Sequence, residues 1–166
     1  MPPEPDDRGL GRSRGGLTTK MHALIDHVMR PVEMILTAGQ AGDNPQLVPL
    51  LDGYRTTRTA AGLHARRLHL LADKAYSHPS TRRELRRRRI SCTIPERTDQ
   101  IQHRQNQGRR GGRPPDFSRD RYRDRNVVER GFGRLKQWRG IATRYDKYAT
   151  TYQGGVTLAA IIQYRR

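Results

Sequence analysis

A chain of 166 residues is the length of one domain, and this one sets 33 Lys+Arg against 16 Asp+Glu for a formal charge of +17. Because 29 of those cations are Arg, whose planar fork pairs with phosphate in bidentate fashion, the composition argues for nucleic acid as the partner. Leu, Ile, Val and Phe supply only 30 residues, below the roughly 20% expected of a highly charged chain that folds on a large core, and no apolar run approaches the ~18 residues of a membrane span.

Residues 1–16 hold three Pro and four Gly around a single Leu. They read as a flexible basic arm and lack the apolar stretch of a secretory signal. From Leu17 to Thr37 two apolar runs flank Asp26 to Pro31, the pattern of a β-hairpin with an irregular turn. Asp43 or Asn44 is placed to cap a short helix that starts at Pro45 and buries Leu47, Leu50, Leu51 and Tyr54. Arg55 to Arg67 has no period and reads as a linker. Leu68 to Ala72 is a buried strand ending at Asp73, and a helix from Pro79 or Ser80 to Arg89 turns Thr81 and Leu85 inward. Ile90 to Ile94 alternates as a strand that Pro95 stops.

The stretch from Glu96 to Phe117 is a long polar loop rich in Arg and Gly. A loop this long in a small domain is usually functional or unstructured, and Arg109, Arg110 and Arg113 suit contact with a nucleic-acid backbone. Arg119 to about Trp138 is helical, and an apolar helix covers Thr157 to Tyr164. Hairpin, helix, strand, helix, strand, basic loop, helix, helix is the order of an α/β layer architecture. Cys92 is the single cysteine, so there is no internal disulfide. With no Cys or His at ligand spacing beyond the pair His64 and His69, zinc is not expected. A reducing cytoplasm is the expected compartment.

Chemistry is expected at two places. At ~100° per residue, Tyr122, Arg125, Glu129 and Lys136 share one stripe about 60° wide, beside Val128, Phe132 and Leu135. A carboxylate between cations at the edge of a core has either ion-pair partners or a task. Asp73 follows the carboxyl end of a buried strand, where it either caps the turn Asp73 to Ser77 or points into the crevice at which α/β sheets bind ligands. Gly9 to Gly16 is glycine-rich but follows no strand and opens no helix, so it is a poor phosphate loop. Gly131 and Gly133 each cost a helix interior roughly 1 kcal/mol relative to Ala and are expected to fray it just after Glu129.

Gly11 to Lys20, Leu71-Ala72-Asp73-Lys74-Ala75-Tyr76, Asn126 to Arg130 and Leu135 to Arg139 together resemble bacterial insertion-sequence transposases of the DDE class, most closely the insertion-sequence-five group. The most specific element is Tyr-x₂-Arg-x₃-Glu-x₆-Lys, met by Tyr122, Arg125, Glu129 and Lys136. The resemblance implies a ribonuclease-H-like mixed sheet with flanking helices, in which Asp, Asp and Glu bind two Mg²⁺ ions, with Mn²⁺ as a substitute. It makes Asp73 the second acidic residue and Glu129 the third. Tyr122, Arg125 and Lys136 then position transposon-end DNA.

The first catalytic Asp of the family belongs on a strand upstream of Gly11, where this chain has only its Pro/Asp/Arg/Gly tail. Asp6 and Asp7 lie in no strand pattern, and Asp26 falls in the hairpin turn. The expectation is therefore a truncated catalytic domain over 17–166, its first core strand missing. A polypeptide from an upstream reading frame would complete it, and a self-dimer is the other protein partner expected. Double-stranded DNA and a nucleoid-associated location follow from the same resemblance. The alternative is a non-catalytic basic DNA-binding fragment, or a partner of a full-length transposase.

Overall fold

A computed structural model describes residues 9–63 and 67–165. The chain is mixed α/β. Strand β1 (Gly11–Ser13) turns back through Arg14 and Gly15 into β2 (Gly16–Ile25). Residue 16 takes φ +104°, which only glycine adopts without strain, and its carbonyl accepts from the Ser13 hydroxyl at 3.0 Å. Residues 11–16, expected within a flexible arm, are thus partly strand. The expected hairpin is present: β3 (Pro31–Ala38) pairs antiparallel with β2 from Thr19↔Ala38 to Ile25↔Pro31, with a register shift between Leu24 and Ile25. Its irregular turn is held by Asp26 Oδ1, which accepts from Val28 N–H at 3.0 Å and Arg30 N–H at 2.8 Å. That is an Asx turn.

A 3-10 turn over Asn44–Gln46 leads into α1 (Leu47–Ala60), which buries Leu47, Leu50 and Leu51. Asp43 makes no side-chain cap there. The helix continues well into the region expected as a linker, and Gly62 ends it. Gly62 takes φ +67°, its N–H donates to Thr59 O, and Leu63 N–H donates to Arg58 O, the pairing that stops a helix on a left-handed glycine. His64 lies outside the described residues. His69 spends both ring nitrogens on hydroxyls, Ser91 Oγ at 2.8 Å and Thr93 Oγ1 at 2.9 Å.

These bonds accompany the parallel pairing of β4 (His69–Leu71) with β5 (Ser91–Thr93). Between them runs α2 (Pro79–Arg87), with Pro79 in its first turn and Thr81 and Leu85 buried. A single mixed sheet was expected. Among the described residues the strands instead form two: β1 to β3 antiparallel, β4 and β5 parallel. Nine residues of the expected basic loop are also ordered differently than the composition implies, because α3 (Thr98–Asn106) forms within it. Gln100 caps the start by accepting from Arg97 N–H at 3.2 Å, and Arg104 pairs with Glu96 at 2.7 Å.

The helical region after residue 118 is broken. Helix α4 (Arg119–Arg123) is followed by α5 (Asn126–Lys136), α6 (Arg139–Thr143) and α7 (Ala149–Tyr164). Between α4 and α5, Val127 and Val128 donate three residues back, to Asp124 and Arg125. That spacing tightens the backbone into a 3-10 step and resets the helix direction. The last helix begins eight residues before Thr157, because Tyr152 is buried one turn ahead of Val156 and its hydroxyl donates to Ile141 O at 2.8 Å.

Two apolar clusters result. Leu135, Ile141, Tyr152, Val156, Ala159 and Ala160 form one, with Met21, Met34, Leu36 and Phe132 against it. Leu47, Leu51, Ala72, Leu85 and Ile94 form the other, joined by Leu24 and Leu70. Strand β2 serves both.

The glycines of α5 do not fray it. A Cβ on Gly131 would stand 2.8 Å from Ile25 Cδ1 and 3.3 Å from Met29 O, whereas one on Gly133 would meet nothing within 4 Å. Gly133→Ala is therefore expected to raise stability by about 0.5–1 kcal/mol, the helix-propensity gain. Gly131→Ala is expected to give no gain or a loss, because α5 must move off the hairpin. Chemical denaturation of the two variants decides it.

Candidate nucleic-acid and catalytic site

Arg125 holds the expected stripe together. Its guanidinium donates to Glu129 Oε1 at 2.7 Å, one turn along α5, and lies 5.7 Å from the centroid of the Tyr122 ring on α4. Tyr122 in turn packs against Phe117 with ring centroids 5.3 Å apart. The chain of contacts runs Phe117, Tyr122, Arg125, Glu129. It ties the end of the basic segment to the acidic residue. Glu129 remains 63% exposed and Arg125 28%, so the carboxylate has an ion-pair partner and still faces solvent. The stripe is not one helical face, since the 3-10 step separates Tyr122 from Glu129, yet the aromatic–cation contact brings them together.

Lys136 ends α5, exposed, at the rim of a cavity of about 260 Å³ lined also by Met21, Phe132, Leu135 and Ile141. Arg109 and Arg110 lie in a 3-10 turn over Gly108–Gly111, and Arg113 follows it; all three are exposed. The segment carrying them is anchored at its start. Gln100 Nε2 donates to Ser77 O at 3.2 Å, beside the turn that Asp73 opens.

Asp73 does cap its turn. It precedes a 3-10 turn over Lys74–Tyr76, and its Oδ1 accepts from Ala75 N–H at 2.8 Å. That use leaves the second carboxylate oxygen available, so capping and ligation are compatible. Tyr76 lies within reach of two acids: burial first, then the negative charges of Asp43 and Asp73, push its phenol up to about 12. Asp43 itself sits 3.2 Å from Lys20 Nζ and 3.7 Å from His22 Nδ1, while His22 Nε2 bonds Thr37 Oγ1 at 2.8 Å. Sequence reasoning misses this Lys20–His22–Asp43 group: its members come from β2 and the loop before α1, and no local spacing announces them.

The donor chemistry of Asp73 and Glu129 suits a hard divalent cation, which prefers carboxylate oxygen. Among the described residues, however, no group of three or more His, Cys, Asp or Glu stands ready to enclose one. Asp26 lies in the hairpin turn with its Oδ1 taken by the Asx bonds, and Asp6 and Asp7 lie outside the described residues. Asp73 and Glu129 thus provide two separate carboxylates and not a finished metal centre.

The model of the transposase DDE domain family matches residues 5–163 of this chain. The chain belongs to that family. It is similar to the "Putative transposase for insertion sequence element IS6501" of Brucella ovis, with 29% identity over 150 residues that cover 90% of this chain and all of that protein. No solved structure matches. Among the described residues no helix is long and apolar enough to cross a membrane.

Burial lowers the pKa of His22, with Asp43 opposing the effect and Lys20 adding to it. A histidine with a depressed folded-state pKa binds fewer protons folded than unfolded. Its stabilisation is complete above the unfolded value near 6.5 and is lost as pH falls below it. His69 has the same sign, from burial and from Arg121. The thermal midpoint is expected to drop between pH 7.5 and 5.5, and His22→Gln to flatten part of that slope. A midpoint that is constant or rises on acidification would contradict this assignment.

Proposed function

We propose that the chain is the catalytic portion of an insertion-sequence transposase of the insertion-sequence-five group. It acts by hydrolysis of phosphodiester bonds at the element's ends and attack of the freed 3′-OH on target DNA. The observation that carries this reading is the Tyr122–Arg125–Glu129 interlock, placed within a family match that spans nearly the whole chain. In this reading the antiparallel and parallel sheets are parts of one ribonuclease-H-like sheet, completed by a further strand that carries the first Asp. A polypeptide from an upstream frame, as a frameshift fusion or as a partner chain, is the source of that strand.

Asp73 and Glu129 would hold Mg²⁺, or Mn²⁺ in its place. Bound, such ions activate the attacking oxygen and neutralise the leaving one. The protein's own groups bind and orient. Tyr122, Arg125 and Lys136 grip the transposon end, with Arg125 holding the Glu129 carboxylate in place through a charge-assisted bond. Arg109, Arg110 and Arg113 pair with backbone phosphates of either end or target and carry no sequence information. Double-stranded DNA is the substrate, and the nucleoid in the cytoplasm is where it is met.

One observation favours a second reading, a non-catalytic DNA-binding partner of a complete transposase: the described residues assemble no three-ligand group. Strand nicking separates the two. The chain alone is expected to bind duplex DNA with log affinity falling steeply and linearly with log salt, and to nick transposon ends at no measurable rate. Supplying the strand with its Asp, by fusion or as a second polypeptide, is expected to start Mg²⁺-dependent nicking. In that preparation Asp73→Ala and Glu129→Ala should abolish nicking and keep binding, while Arg125→Ala weakens both. Binding that never leads to nicking in the supplemented preparation would support the second reading.

A further inference from the structure

The last helix presents an apolar face that none of the described residues covers. All 16 residues of α7 (Ala149–Tyr164) are uncharged, in a chain that carries 33 cations and 16 anions. Its core side is Tyr152, Val156, Ala159, Ala160 and Gln163. At ~100° per residue, Thr151, Gly154, Gly155, Leu158, Ile161 and Ile162 fall on the other side, and all six are exposed. Leu158 keeps 63% of its surface open and Ile161 53%. Their spacing alternates between three and four residues, as in a seam between two helices. The two glycines serve no packing within the chain. A Cβ on either would meet nothing within 4 Å, and a helix interior disfavours glycine.

We propose that α7 pairs antiparallel with α7 of a second copy of the chain, about a two-fold axis at Leu158. The order of residues along the stripe selects a copy over any other partner. Glycines stand three and four positions before Leu158, and isoleucines stand three and four positions after it. Antiparallel pairing therefore sets Gly154 opposite Ile162 of the partner subunit and Gly155 opposite Ile161 of the partner subunit. Each isoleucine enters the hollow that a glycine leaves, and Leu158 meets its own counterpart. Such self-complementarity is what a two-fold interface requires. Charge points the same way. Two chains of +17 repel wherever their basic surfaces face each other, and the stripe is an approach that brings no cations together. Antiparallel order also keeps the two copies of Arg165 at opposite ends of the pair. Six residues a side fall short of the roughly 20 in a standard interface, so the dimer is weak, half dissociated near ~10 µM. Neither DNA nor the acidic residues take part in it.

The test is sedimentation of the full chain from ~1 to ~100 µM without DNA. A monomer–dimer equilibrium is expected, and added salt should strengthen it, because screening relieves the repulsion between copies. DNA binding has the opposite salt dependence, so the failure of one does not resemble the failure of the other. Leu158→Glu should weaken the dimer at least about tenfold by setting like charges face to face. Gly154→Leu should weaken it too, by filling the hollow, while raising the monomer's thermal midpoint through helix propensity. With Cys92→Ser as the background, Leu158→Cys should cross-link to itself under oxidised glutathione. Gly155→Cys should not, because antiparallel copies hold its two thiols about 9 Å apart along the axis. A chain that stays monomeric throughout that range at high salt, or a dimer that Leu158→Glu leaves intact, would overturn the proposal. Cross-linking at both positions would overturn the antiparallel register. A dimer that gives way when the upstream polypeptide is supplied would assign the face to that polypeptide and not to a second copy.

Discussion

Helix α5 can lie against the β2–β3 hairpin only because residue 131 has no side chain. A Cβ there would intrude on Ile25 and crowd the carbonyl of Met29, and the helix would have to lift away. That single approach fixes the helix's rotation. Leu135, one turn on from Gly131, is fully buried against α6 and α7. Glu129, two residues before it, is turned about 200° around the axis and so faces outward. The acidic residue is exposed because the glycine is not. Arg125 then completes the arrangement by crossing one turn to the carboxylate while it lies over Tyr122.

The charge of the chain is the second determinant. Its anions are placed in bridges that hold elements together: Arg88 spans from Glu84 on α2 to Asp52 on α1, both at 2.6 Å, and Arg104 closes on Glu96. The two Arg partners hold the Glu84 carboxyl far below the ordinary range, near 2. With cations exceeding anions by seventeen, internal pairing cannot neutralise the surface, and a polyanion that displaces its own counterions is the natural complement. In the proposed reading this long-range attraction brings DNA to the protein without aligning it. In that reading, alignment falls to the short contacts around Arg125.

How much of this was legible depended on the range of the interaction responsible. The hairpin, α2 with Thr81 and Leu85 inward, and the two short strands follow from local alternation and spacing, and they are present. The pairing of Arg125 with Glu129 is an i,i+4 relation and was equally readable. Helix ends were harder. The left-handed Gly62 that lets α1 run to Ala60 reads in sequence as one more loop glycine, and the 3-10 step between α4 and α5 leaves the hydrophobic period nearly intact. Helix α3 was hidden because its stabilising partners are Glu96 and Ser77 rather than an apolar face. The Lys20–His22–Asp43 group and the unpaired Gln163 arise only where distant elements meet, so no window of sequence contains them.

In the proposed reading Asp73 and Glu129, from separate elements, serve one divalent-cation site when DNA is bound. Hydroxyl radicals generated at a bound metal cut the polypeptide beside it. With Fe²⁺ in place of Mg²⁺ and the supplemented protein on a transposon-end duplex, the account predicts scission next to residue 73 and next to residue 129, both suppressed by excess Mg²⁺. Scission at neither position, or at one of them with the other untouched, would contradict it.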